Sequence, residues 1–131
     1  MNSPELIQAF IATGQKLDAL WEFFVTVHLA MYGALFFLKS LRAEHVFISF
    51  VAYLFFTWIN LRAKLNEYEL YNALLSDIKA LGVGEANNLA AFINGYHVDD
   101  RAFIVCLVHA LSLAAFSYLV FSINRNERVK K

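Results

Sequence analysis

Charge is scarce in this chain of 131 residues: 17% are Asp, Glu, Lys or Arg, where an average domain carries ~25%. The eleven acidic and eleven basic side chains cancel, so no net field steers polyanions, and a nucleic-acid partner is excluded. Cysteine occurs once, at Cys106, which rules out an internal disulfide and a cysteine-rich metal site. A phosphate loop, a nucleophile elbow, a His-Glu-x-x-His helix and a Cys-x-x-Cys pair are all missing. Hydrolytic and nucleotide chemistry therefore have no footing, and the chain reads as no enzyme, with neither catalytic nor metal-binding residues. What is abundant is apolar and aromatic surface, 60% and 16% of residues. That excess excludes disorder and an ordinary soluble enzyme, and leaves a soluble all-helical bundle with three strongly buried helices as the alternative to a membrane protein.

The apolar residues gather in three runs. Residues 102–123 are 22 in a row without a formal charge, bounded by Arg101 and Arg125; about 20 such residues span a hydrocarbon core. Residues 23–38 and 46–61 are uncharged runs of 16. Both can lengthen, because Trp21 and Leu20 continue the first, and the stems of Lys39, Arg62 and Lys64 can lie along lipid with their charges at the headgroups. Trp21 and Trp58 sit near segment ends, where indole favours the interface. The expected fold is all-α: a polytopic membrane protein with transmembrane helices over 19–39, 45–62 and 102–123.

Between the spans the pattern stays helical. Ser3-Pro4-Glu5 is a helix start with a cap, a pre-set first turn and an acid at the positive end. Leu6, Ile7, Phe10 and Ile11 form one stripe, so 1–16 reads as a short amphipathic surface helix that bends at Gly14 into the first span. The same stripe also suits packing on the protein's own extramembrane helices. The seven residues 39–45 make spans one and two an antiparallel hairpin. Past Arg62, the positions Leu61, Leu65, Tyr68, Tyr71, Leu75 and Ile78 step by three or four with no Gly or Pro among them. The second helix thus continues beyond the bilayer to Leu81, about 57 Å in all at ~1.5 Å per residue. Gly82 and Gly84 end it, 85–93 reads as a short returning helix, Asn94-Gly95 as a turn, and Asp99-Asp100 opens the third span. Residues 63–100 form an extramembrane helical hairpin and 124–131 a basic tail suited to anionic headgroups. Five Lys and Arg on the N-terminal side of the spans face six on the other. The six are packed into two short segments, which favours N-terminus outside and C-terminus inside, in a plasma or inner membrane.

Polar groups inside hydrocarbon are costly, so they mark the candidate sites. Ser49, Tyr53, Thr57 and Asn60 fall within about 80° of one another at ~100° per residue, and Lys64 extends the stripe; they would either hydrogen-bond between helices or line a path in an oligomer. Asp18, Glu22, Thr26, Ala30 and Ala34 recur every fourth residue with Gly33 beside them, a face that lets backbones approach, so Glu22 and Thr26 join the helix-contact or pore-lining candidates. Cys106 is expected as a small interior filler beside Ala110, Ala114 and Ser117. Leu65, Tyr68, Leu75 and Ile78 would bind a partner outside the bilayer.

His28 and His109 lie at matching depth on parallel spans, so they are the alternative, cofactor-binding candidates: axial ligands of a b-type haem, or a linked proton relay. His45 and His97 fall in connections, where a polar turn explains them. A small three-span chain with intramembrane histidines resembles the anchor subunits of respiratory complexes in outline, and that outline carries over no site. Three helices enclose little space, so their polar stripes imply partners: the lipid bilayer, and further copies or a larger membrane complex. The leading expectation is an accessory or scaffold subunit, or a homo-oligomeric assembly of which an ion-conducting channel is one version, without cofactor; the alternative is a b-haem electron-transfer subunit.

Overall fold

The computed structural model describes residues 3–37, 43–81 and 99–129. They form three long helices, α1 (Ser3–Phe37), α2 (Ala43–Ala80) and α3 (Asp99–Val129). The helix end at Gly82, the helix expected over 85–93, the turn at Asn94-Gly95, His97 and the last two lysines lie outside the described residues. α2 and α3 are long and apolar enough to cross a membrane.

α2 passes Arg62 without interruption and spans 38 residues. No proline or glycine lies within it, and nothing in it competes with the i to i−4 ladder. His45 is thereby drawn into the first turn of α2, where its side chain is exposed.

α1 is also a single helix, of 35 residues, and this corrects the expectation of a separate surface helix bending at Gly14. Contact explains the continuity. Gly14 lies against the ring of Tyr71, 3.7 Å from where a Cβ would stand, and Phe10 stacks on the same ring at 4.3 Å. The N-terminal stripe is therefore held against the far half of α2, the other arrangement its pattern suited. Leu6 and Leu17 from α1, Tyr68, Tyr71, Leu74, Leu75 and Ile78 from α2, and Val105 from α3 make one buried cluster. Each such side chain contributes roughly 1.5–3 kcal/mol when taken out of water.

α1 runs antiparallel to α2, as the pairs Phe10 with Tyr71 and His28 with Tyr53 show. α3 runs antiparallel to α2 and parallel to α1, with Tyr53 on Phe116 and Phe24 on His109. Beyond this cluster the interior becomes richer in polar groups, with His28, Thr57, Asn60, Lys64 and His109 buried. The remaining surface of all three helices carries large exposed apolar side chains, among them Phe23, Leu29, Phe55, Trp58, Phe103, Leu111 and Phe121.

Candidate functional site

The polar interior is organised by one phenyl ring. Phe24, 3% exposed, touches three basic groups: the His28 imidazole at 3.9 Å, the His109 imidazole at 4.3 Å and the Lys64 ammonium at 4.0 Å from its centroid. Lys64 Nζ also stands 3.5 Å over the indole of Trp21. Sequence periodicity pointed to the two histidines and to Lys64 but not to Phe24. Its signal was available: Phe24 lies one helical turn before His28, and so on the same face.

Both imidazoles use the same local device. His28 Nδ1 lies 2.7 Å from the Phe24 carbonyl and His109 Nδ1 2.8 Å from the Val105 carbonyl, each four residues back on its own helix. A carbonyl oxygen only accepts, so Nδ1 donates in both. The Nε2 atoms then reach across the bundle, His28 to the Tyr53 hydroxyl at 2.6 Å and His109 to Asn60 Oδ1 at 3.2 Å. Asn60 continues to α1, its Nδ2 donating to the Leu20 carbonyl at 3.4 Å. Every imidazole nitrogen is thus engaged by the protein, and a haem could take either histidine only by displacing Tyr53 or Asn60.

The candidate stripe on α2 is sorted by this packing. Tyr53, Thr57, Asn60 and Lys64 are buried, while Ser49 is half-buried. Thr57 satisfies its hydroxyl on its own helix, at the Tyr53 carbonyl 2.8 Å away, which leaves it no need of a partner. Tyr53 stacks on Phe116 at 4.0 Å, and Tyr32 donates to the Ser112 carbonyl at 3.2 Å. Lys64 Nζ is the exception among the described residues: a fully buried nitrogen with no hydrogen-bond partner.

Two groups of candidates are placed differently from expectation. Glu22 and Thr26, with Asp18, Ala30 and Ala34, remain on the exposed side of α1, and a Cβ on Gly33 would meet nothing within 4 Å. The inward face is instead Leu6, Thr13, Leu17, Phe24 and His28. An aromatic ring buries some 150–250 Å², so the Phe24 face outweighs a small-residue face that offers only close approach. The second group is the proposed partner stripe. Tyr68, Leu75 and Ile78 are buried beneath α1 and Leu65 is half-buried, so this chain covers that stripe itself. Trp21 Nε1 donates to the Tyr68 hydroxyl at 3.3 Å within the covering.

Cys106 is exposed rather than interior. It lines an open apolar groove of about 240 Å³ between α2 and α3, with Leu54, Trp58, Leu61, Ala110 and Leu113 as walls and Thr57 and His109 at its polar edge. Among the described residues no three His, Cys, Asp or Glu side chains gather as a metal site. Comparison with family models, curated proteins and solved structures gave no match.

Proposed function

We propose that this protein is a three-span integral membrane protein acting as an accessory or scaffold subunit, either of a larger membrane complex or of its own homo-oligomer. One observation carries the reading. The polar side chains in the middle of α2 point into the bundle, and two of them, Tyr53 and Asn60, are tied to α1 and α3, while the outward surface at the same level is apolar. Polar groups spent on interhelical bonds define one arrangement of three helices. They are turned away from any conducting path between neighbouring copies, so the stripe favours a structural module over a channel.

In this reading 45–62 and 102–123 cross the bilayer with 19–39 beside them. The far half of α2, with the N-terminal turns of α1 on it, projects beyond the membrane as a paired helical stem. The test is the mass of the full-length protein purified in mild detergent, with a visible spectrum recorded on the same peak. A colourless assembly larger than one chain is expected. A colourless monomer would overturn the scaffold role, and haem absorption lost on His28→Ala or His109→Ala would replace it with the electron-transfer alternative.

A further inference from the structure

His28 and His109 share their Nδ1 arrangement, and the difference between their Nε2 partners defines a site. At His28, with Nδ1 donating to the Phe24 carbonyl, a neutral imidazole accepts a hydrogen bond from the Tyr53 hydroxyl at Nε2 and is satisfied at both nitrogens. At His109, Nε2 faces Asn60 Oδ1, and that oxygen is an acceptor, because Asn60 Nδ2 is turned to the Leu20 carbonyl. Two lone pairs would meet at 3.2 Å unless Nε2 also carries a proton. The arrangement is complete with His109 as an imidazolium. With a neutral His109 the Asn60 amide must turn over, give an N–H to Nε2, and release the Leu20 carbonyl of α1.

We propose that His109 is a proton-binding site in the bundle interior, with the Asn60 amide as a two-position element that couples its charge to the α1–α2 contact. This goes beyond the scaffold reading and does not depend on it. The surroundings of His109 are set by all three helices. From α1 come the rings of Trp21 and Phe24, with His28 beyond Phe24 held neutral by Tyr53. From α2 come Asn60 and, one turn on, Lys64. From α3 itself comes the Val105 carbonyl, with Arg101 two turns earlier. The carboxylates of these segments are turned elsewhere: Asp18 and Glu22 are exposed, and Glu67 is paired with Lys16.

Lys64 and His109 therefore lie against one phenyl ring without a counter-charge supplied by those carboxylates. Two desolvated cations this close repel strongly. Both groups lie against the Phe24 ring, so a proton on His109 and a charged Lys64 disfavour each other. His109 is also among the residues that line the groove between α2 and α3, and is itself 2% exposed.

The experiment is solid-state nuclear magnetic resonance of the full chain in lipid bilayers, with isotopically labelled histidine side-chain nitrogens, between about pH 5 and 9. The chain has four histidines: Tyr53→Phe perturbs the His28 resonances and so assigns them, and His45→Gln with His97→Gln removes the other two signals, leaving His109. Expected is a His28 that keeps one neutral form, with its proton on Nδ1, and a His109 that passes from doubly protonated to neutral as pH rises. Asn60→Leu should abolish the doubly protonated form, and Lys64→Met should enlarge it at a given pH. A His109 that stays neutral throughout in the unaltered protein would overturn the proposal, as would a doubly protonated form that survives unchanged in Asn60→Leu.

Discussion

Tyr53 and His28 face each other across the α1–α2 seam, the phenolic oxygen 2.6 Å from Nε2, with both side chains buried. Neither ring nitrogen of His28 is left over, and the Tyr53 ring is simultaneously stacked on Phe116 of α3. One side chain of α2 thus joins both neighbours, by a hydrogen bond on one side and ring contact on the other.

Tyr53→Phe separates these two roles. The stacking surface stays and the proton to Nε2 is lost, leaving a buried acceptor unsatisfied. A loss of about 1 kcal/mol is expected, between the ~0.6 typical of interhelical bonds in membranes and the ~1–3 of an orphaned buried group. A double-mutant cycle with His28→Leu, measured by unfolding in mixed micelles, should show the two changes to be non-additive. Additivity would mean that the bond contributes nothing.

Lys64→Met should leave stability unchanged or raise it. Methionine keeps an unbranched stem for Trp21 and Phe24 to cover, and it removes an amine that is fully buried without a hydrogen-bond partner. Cation–π contact recovers about 2 kcal/mol or somewhat more, against a desolvation penalty of several kcal/mol for an ammonium. A clear fall in the unfolding midpoint would show that the amine is bonded in the native protein.

Ile78→Ala tests the stem. Ile78 is 2% exposed within the cluster that holds the start of α1, and its truncation should cost about 2–5 kcal/mol. Because the contact is local to the far half of α2, limited proteolysis should cut α1 before Lys16 faster in this variant, while the Tyr53–His28 region stays protected. Uniform loss of protection along the chain would contradict a separable stem.

Glu67→Gln, by contrast, should change stability by less than about 1 kcal/mol. The Lys16 side chain of this ion pair is 64% exposed, and solvent screens such pairs. The small effect should shrink further in high salt.

Cys106 gives a direct reading of the membrane setting. It is exposed on α3, five residues beyond Arg101. In intact bilayers a membrane-impermeant maleimide should fail to label it while a lipid-soluble one succeeds, and denaturing detergent should remove the difference. Equal labelling by both reagents in bilayers would place this face of α3 in water.

The lengths of α2 and α3 were legible in the sequence, whereas the continuity of α1 through Gly14 was not. Uncharged runs bounded by Arg and Lys, and a stretch from Leu61 to Ile78 free of Gly and Pro, are enough to demand long helices, because nothing in them breaks the backbone ladder. Burial of Tyr53, Thr57, Asn60 and Lys64 on one side of α2 also follows the polar spacing of that helix. The inward face of α1 was not legible. That helix is apolar on most sides, so its periodicity selects no single stripe, and the small-residue face was as plausible in sequence as the one bearing Phe24 and His28. The choice depended on residues 25 to 85 positions away, since Tyr53, Phe56 and His109 are what make the Phe24 face worth burying.

The same reason accounts for the stem. The sequence determined that α2 outlasts its apolar run and carries an amphipathic stripe, a consequence of local spacing alone. Only the tertiary structure decided that the stripe is covered by the first turns of α1, because that pairing rests on Phe10, Gly14 and Tyr71 meeting across more than fifty residues of chain. Local pattern sets where a helix forms and which residues share a face; which face is buried depends on what the rest of the chain brings to it.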